Sequence, residues 1–453
     1  MSNDIKTIIY GINDIANDFL YLFDDLKIIA FLYDREEKIE FLSTGYENIS
    51  KYSLDDCDIK SISKGCTIII CGFDYLEKEK ILISYGMRED KDYIFAHSVC
   101  ELFHEKDLDS LLKRVFYSER KYKQLQCAVP FRMVSIATNR IHTCCGGRVS
   151  ISITRDFSEK IEEFWFTLKR KIMCLSVMNG TYAFCNRRYC PLLHSYDGSN
   201  SKQADIYYTQ DISGYNYYSY PDILQLEYDA ACNLACPSCR NNYVCDSGKK
   251  AEHITSYVLK NIVPYITHIR CAGFGEALFS KNYKHIISSE ETRNKELYLL
   301  TNGLLLDYKK AMDLLCHFSK LSIDVSVDAG TEEVYKLIRG GNYSLLIRNL
   351  HDISKLHLSG NISKFVLNYT VSKKNICDLN HFLKMAEDLN VDSVRISAIH
   401  NWGNMTKDEF EDMSILDANF KLKSEVCEYF KNMDAFDVKI LDNNVGFEEL
   451  TKT

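Results

Sequence analysis

The chain has 453 residues, 46% of them hydrophobic and 26% charged, which is the composition of a folded protein long enough for two to four domains. Its net charge of −8 argues against a nucleic-acid partner held through phosphates, and no apolar run reaches the ~18 residues of a membrane span. The opening stretch MSNDIKTIIYGINDIAND has no basic segment followed by a continuous apolar one, so a cytoplasmic location is expected, with the 18 cysteines reduced and not paired as a disulfide scaffold.

Residues 1–102 read as a small α/β unit. KTIIYGIN, LKIIAFLYD, GCTIIICGF and YIFAH are strand candidates, and DIANDFLYLF and LEKEKILISYGM have helical spacing between them. The pattern is similar to Rossmann-like modules found beside sugar- and polysaccharide-modifying enzymes. GINDIA keeps Gly11 but has Asn13 and Ala16 where further phosphate-binding glycines belong, so a structural or docking role is expected there.

Residues 103–126 are charged with helical patterning and read as a connecting helix. Residues 127–194 hold many cysteines and a Gly-Gly pair, and 195–221 read as a polar, tyrosine-rich linker. From 222 to 405 the alternation is clear. Strand candidates ILQLEYD, THIRCAG, ELYLLT, LSIDVSV, KFVLNYTV and SVRISA are separated by helical patterns such as EHITSYVLKNIVPYI. The expected fold class is α/β: a partial (β/α)6 TIM-like barrel, preceded by the Rossmann-like domain and the cysteine-rich module, with a helical tail over 406–453. In such barrels the chemistry sits at the C-terminal ends of the strands.

LEYDAACNLACPSCR places Cys232, Cys236 and Cys239 directly after the first of these strands. A structural zinc takes four ligands. Three soft thiolates on one loop fit a cubane iron–sulfur cluster that leaves one iron open to another ligand. The isolated Cys57, Cys66, Cys71, Cys100, Cys316, Cys377 and Cys427 read as small core hydrophobes, as do Cys174, Cys245 and Cys271.

CNLACPSC after a strand resembles the signature of the radical S-adenosylmethionine (radical SAM) superfamily. AGFGEALFS, TNG and SVDAGTEEVYKLIRGG follow the next three strands in the family's order. Ser238 departs from the aromatic residue many members carry before the last cysteine. The resemblance implies a 4Fe-4S cluster on Cys232, Cys236 and Cys239, with S-adenosylmethionine bound beside it. It implies that Gly273 and Gly275 let the backbone pass close to the methionine amino group, with Glu276 alongside. Asn302 joins this set, Ser326 and Asp328 face the ribose hydroxyls, and Arg339 meets the methionine carboxylate. The alternative for Arg339 is a helix-end arginine that offsets the helix dipole.

CAVPFRMVSIATNRIHTCCGG and NGTYAFCNRRYCPLL carry five cysteines, and four thiolates from the two pieces suit zinc or 4Fe-4S. They resemble an auxiliary-cluster module of the SPASM or twitch type, here placed before the barrel. That resemblance implies a second 4Fe-4S cluster on Cys127, Cys144, Cys185 and Cys190, with Cys145 as rival for the second position and a structural zinc as the alternative filling.

The expected function is reductive cleavage of S-adenosylmethionine to a 5′-deoxyadenosyl radical that takes a hydrogen from substrate. A flavodoxin or ferredoxin is the expected reductant. The substrate is expected to be a small polar molecule such as a sugar or surface-glycan precursor. The alternatives are radical modification of a ribosomally made peptide, or a non-catalytic metal-binding or electron-carrier protein.

Overall fold

The computed structural model describes residues 6–34, 46, 48–89, 91–103, 108–145, 148–187, 189–194, 196, 217–240, 242–401, 403–417, 421–431 and 436–442. They divide into two compact units. One takes the described parts of Met1–Pro130, Phe166–Cys185 and Thr209–Tyr217; the other takes those of Phe131–Trp165, Asn186–Tyr208 and Tyr218–Thr453.

The first unit is built on a five-stranded sheet: β1 (Lys6–Tyr10), β2 (Lys27–Tyr33), β3 (Ser50–Ser53), β4 (Thr67–Ile70) and β5 (Tyr93–Phe95). All neighbours run parallel, in the order β3-β2-β1-β4-β5. Apolar runs such as KTIIY form the central strands because both faces are covered. The polar SKYS of β3 lies at an edge and was not legible as a strand. At the turn after β1, Gly11 has φ +109°, and a β-carbon there would stand 2.1 Å from the Cys71 carbonyl oxygen. Asn13 caps the helix Asp14–Leu22: its Oδ1 accepts from the Ile15 and Ala16 amides, which occupies those N–H groups. Beside it, fully buried Lys78 pairs with Asp34 at 2.7 Å, and Tyr10 donates to the other Asp34 oxygen at 2.7 Å. The crest of this sheet is thus filled by the chain's own polar groups.

His97 follows β5 and stacks on Phe95 with a 5.4 Å centroid separation. Burial, aided by the Lys113 charge, pushes its pKa down to about 4. The folded state therefore resists the proton that the unfolded chain accepts near pH 6.5. Acidification from pH 6.5 to 4 should cost the first unit up to about 3 kcal/mol at this residue. Hydrogen exchange of β5 amides at several pH values checks it, and His97→Gln should flatten the dependence.

The second unit holds a nine-stranded sheet in the order β14-β13-β12-β11-β10-β9-β8-β6-β7. Its strands are β6 (Met133–Ala137), β7 (Arg140–His142), β8 (Ile223–Glu227), β9 (His268–Cys271), β10 (Glu296–Thr301), β11 (Lys320–Ser326), β12 (Lys364–Val371), β13 (Ser393–Ala398) and β14 (Ile440–Asp442). Every pair is parallel except the β6–β7 hairpin.

Three expectations change here. The stretch 127–194 is not one module: its residues fall into both units, and β6 adds to the second unit's sheet because apolar MVSIA pairs along ILQLE. The tail 406–453 is not wholly helical, since Ile440–Asp442 pairs with β13 after the helices Lys407–Met413 and Ser424–Lys431. The connecting helix spans only Asp109–Tyr117. Most of the expected linker, 197–216, lies outside the described residues, as does 443–453.

The two faces of this sheet differ. Leu224, Ile269, Leu297, Leu299, Ile323, Val325, Leu367 and Ile396 are buried on one face. Register puts Gln225, Arg270, Tyr298, Ser322, Asn368 and Arg395 on the other, with Asp324 and Ser326 two and four residues beyond Ser322. A sheet with one apolar and one polar face packs helices on the first, leaving the second to face groups that hydrogen-bond.

Candidate active site

The cysteine loop leaves the C-terminal end of β8. Asp229 fixes its start. Its Oδ1 accepts from Ser247 Oγ at 2.5 Å and the Ala231 amide at 2.8 Å, and its Oδ2 from Ser280 Oγ and Asn282 Nδ2 at 2.6 Å each. Burial works to raise its pKa, but these donors outweigh it and hold the carboxyl below its ordinary range. The Cys232 amide then donates to the Val244 carbonyl at 2.8 Å, closing the loop.

The next strand's loop lies against this one. Gly275 has φ +78°, and a β-carbon there would come within 2.3 Å of the Asp229 carbonyl oxygen and 2.8 Å of that of Ala231. A β-carbon on Gly273 (φ +126°) would meet Glu227 Cγ at 2.9 Å. Gly275 is required by the approach to the cysteine loop itself, and Gly273 by the approach to the end of β8. The Glu276 amide donates to the Ala231 carbonyl at 2.8 Å. The Glu276 carboxylate is buried and accepts from Thr301 Oγ1 and the Asn302 amide, each at 2.7 Å. Burial raises its pKa against these bonds. Asn302 Nδ2 donates to Asn233 Oδ1 at 2.8 Å, so the loop after β10 also grips the cysteine loop.

Each of the three sulfurs has a nitrogen donor nearby. The Leu234 amide is 3.4 Å from Cys232 Sγ, Arg339 Nη1 is 3.7 Å from Cys236 Sγ, and Arg240 Nη2 is 3.5 Å from Cys239 Sγ. Burial raises the pKa of the Cys232 thiol, and the Leu234 amide opposes that shift. The donor set, three soft sulfurs with N–H groups against them, fits an iron–sulfur cluster. Among the described residues no group of three or more His, Cys, Asp or Glu side chains is drawn together as a ready metal cage. Arg240 also donates to the Ala230 carbonyl. Replacing Arg240 with alanine should cut retained iron after anaerobic reconstitution severalfold; iron per chain after gel filtration measures it.

Arg339 ends the helix Glu332–Ile338 and forms an ion pair with Asp328 at 2.8 Å. Asp328 is a buried non-glycine residue at φ +60°, and its other oxygen accepts from the Thr370 amide at 2.6 Å. Burial raises the Asp328 pKa, and Arg339 opposes that shift. Both Asp328 oxygens are thus engaged within the chain. Arg339 keeps a buried Nε with no partner. Ser326, at the end of β11, is half-buried. Sequence reasoning missed Asp229, Asn233 and Arg240; their position beside the three cysteines was the available signal.

Of the cysteine-rich stretch, Cys127 and Cys185 belong to the first unit and Cys144, Cys145 and Cys190 to the second. In the second unit, the thiols of Cys145, Cys144 and Cys190 all act on Arg148 and raise its pKa against burial. Cys174 is buried, and burial lifts its thiol to about 11; Cys271, likewise buried, is lifted to about 12. Core positions fit both. Cys245, Cys316 and Cys377 are exposed, contrary to their reading as core residues: Cys245 lies in a loop, and Cys316 on the outer side of the helix Tyr308–His317.

Residues 229–386 match the model of the radical SAM superfamily, and over this stretch the chain is similar to enzymes that use a 4Fe-4S cluster and S-adenosylmethionine. A probable GTP 3′,8-cyclase of Sulfolobus acidocaldarius is 25% identical over 184 residues, covering 40% of this chain and 56% of the cyclase. Among solved structures, SuiB of Streptococcus suis bound to S-adenosylmethionine is 13% identical, covering 49% of this chain and 51% of SuiB with a TM-score of 0.34. Native anSMEcpe with bound AdoMet is 17% identical over 47% of this chain and 61% of that one, with a TM-score of 0.34. No helix among the described residues is long and apolar enough to cross a membrane.

Proposed function

We propose that the chain is a radical enzyme that acts on a small polar substrate held against the polar face of the nine-stranded sheet, which we read as the expected partial barrel. The observation that carries this reading is the placement of the three-cysteine loop at the C-terminal end of β8, on a sheet whose one face is lined by Gln225, Arg270, Tyr298, Asp324, Asn368 and Arg395. Cys232, Cys236 and Cys239 would hold the cluster. With S-adenosylmethionine it supplies one-electron reductive cleavage and a carbon radical able to abstract hydrogen.

The chain's own residues do the rest. Gly273 and Gly275 bring the loop after β9 against the end of β8 and the cysteine loop, and Glu276 and Asn302 tie these to the end of β10, so three strand ends are held as one rim. Ser326 offers a hydroxyl at the rim, and Arg339, steadied by Asp328, offers a buried cation for a carboxylate. Of the cysteines for which the resemblance of the cysteine-rich stretch implies a second metal site, Cys144 and Cys190, with Cys145 as rival to Cys144, belong to this second unit. A flavodoxin or ferredoxin is the reductant this chemistry calls for. The matched cyclase is named for action on GTP, itself a small polar molecule. Anaerobic incubation with dithionite and S-adenosylmethionine should yield 5′-deoxyadenosine, read by chromatography; its absence from an iron-replete sample would overturn the reading.

A further inference from the structure

Among the described residues, the polar face holds two neighbouring groups whose hydrogen-bonding capacity the chain does not fully use. Asp324 is fully buried in the middle of β11. Its Oδ2 accepts from Tyr298 Oη at 2.6 Å and from Arg395 Nη1 at 2.5 Å. Its Oδ1 is buried and has no partner. The same Arg395 Nη1 donates to Asn368 Oδ1 at 3.1 Å, and Asn368 Nδ2 is likewise buried with no partner. One guanidinium therefore holds a spare acceptor and a spare donor side by side, on neighbouring strands. Ser326 is the register partner of Asn368, so its hydroxyl lies on the same face. On the other side, Tyr298 lies under the Arg270 guanidinium, 4.2 Å from the ring centroid, and Arg270 Nε donates to Gln225 Oε1 at 3.1 Å, which fixes the Tyr298 ring that orients Asp324.

A buried carboxylate oxygen and amide N–H left without partners cost free energy unless a ligand meets them. The group that meets both at once is a hydroxyl, which donates to the carboxylate and accepts from the amide; a pair of adjacent ring hydroxyls does so with each group separately. An apolar side chain would leave both unmet. We infer that Asp324 and Asn368, bridged by Arg395, form the hydroxyl-recognition site for the substrate, and that the substrate carries the hydroxyls of a sugar ring. This rests on the function proposed above and narrows its substrate class. Two sources share that chemistry, a nucleotide ribose and a hexose.

The test is equilibrium binding to the full-length, reconstituted protein with S-adenosylmethionine present, using GTP, UDP-glucose, methyl glucoside and an acetylated, amidated Ala-Leu-Ala peptide as probes. At least one sugar-bearing probe should bind saturably, and the peptide should not. Preference for GTP assigns the ribose; preference for UDP-glucose or methyl glucoside assigns the hexose. Asp324→Asn and Asn368→Asp should each weaken binding tenfold or more, since one offers two donors and the other two acceptors. The double variant reverses the donor and acceptor and should recover part of the lost affinity, which a merely structural role would not produce. If Asp324→Asn fails to fold, Asn368→Ser, at a partly exposed residue, carries the same comparison. Binding of the peptide alone, no saturable binding by any sugar probe, or unaltered binding by the folded variants would overturn the inference. Formation of 5′-deoxyadenosine by the wild type without probes reports separately on the underlying reaction, so the two readings fail independently.

Discussion

Cys236→Ala should abolish 5′-deoxyadenosine formation and remove the iron held by the loop, because two thiolates do not retain a stable cubane. The loss should be complete to the detection limit, at least a thousandfold, since the reaction has no other source of a strongly reducing electron at this site. The fold should survive: Cys236 sits on a loop whose backbone is fixed by Asp229 and by the Cys232–Val244 bond, neither of which involves its sulfur. Circular dichroism and iron content separate the two effects. Undiminished product from an iron-depleted variant would show that Cys232, Cys236 and Cys239 are not the cluster ligands.

The second large effect is expected at a residue with no side chain. Gly275→Ala forces a β-carbon to within 2.3 Å and 2.8 Å of two backbone oxygens, on a residue at φ +78°. The left-handed conformation alone costs about 1–2 kcal/mol. Neither oxygen belongs to a flexible side chain, so the loop after β9 must move away from the cysteine loop and the Glu276–Ala231 hydrogen bond must open. We expect at least about 3 kcal/mol of destabilisation and loss of most bound iron. Gly360→Ala is the control. It has the same φ of +78° but no atom within 4 Å of the added carbon, and should lose only the conformational part with iron unchanged. Equal losses from the two variants in denaturant titration would mean that the close approach at Gly275 does not matter.

Most of the strand order after residue 222 was legible, because each strand is a short apolar or alternating run punctuated by an amphipathic helix, and parallel neighbours follow in sequence. The place of the three cysteines directly after a strand was legible, since the apolar run of β8 ends just before them. The roles of Gly275 and Glu276 were only half legible. The motif suggested a ligand-facing edge, whereas the close contacts run to the cysteine loop and to Asn302, and such contacts depend on how two loops approach in space. LSIDVSV displayed its alternation of Ser322, Asp324 and Ser326 with Ile323 and Val325, but only register brings Asp324 to Arg395 and Asn368. The place of β6 could not be read from the sequence, since its partner β8 lies far along the chain and cysteines on either side drew attention to metal binding instead.

That distant pairing bears on how the protein reaches its native state. Met133 pairs with Ile223, and the Arg132–Asp222 ion pair beside them spans 90 residues, whereas Glu296 pairs with Lys320 close by in sequence. Closing the longer loop costs only about 1 kcal/mol more at equilibrium, so the arrangement is easily tolerated once formed. Kinetics are less forgiving. During synthesis at about 5–20 residues per second, the apolar strand MVSIA, with β7 on one edge, waits several seconds for β8 to emerge, its hydrophobic face and its other edge unpaired. The slowest step of assembly, and the one most sensitive to chaperones and to self-association, is therefore expected to be the capture of β6 by β8.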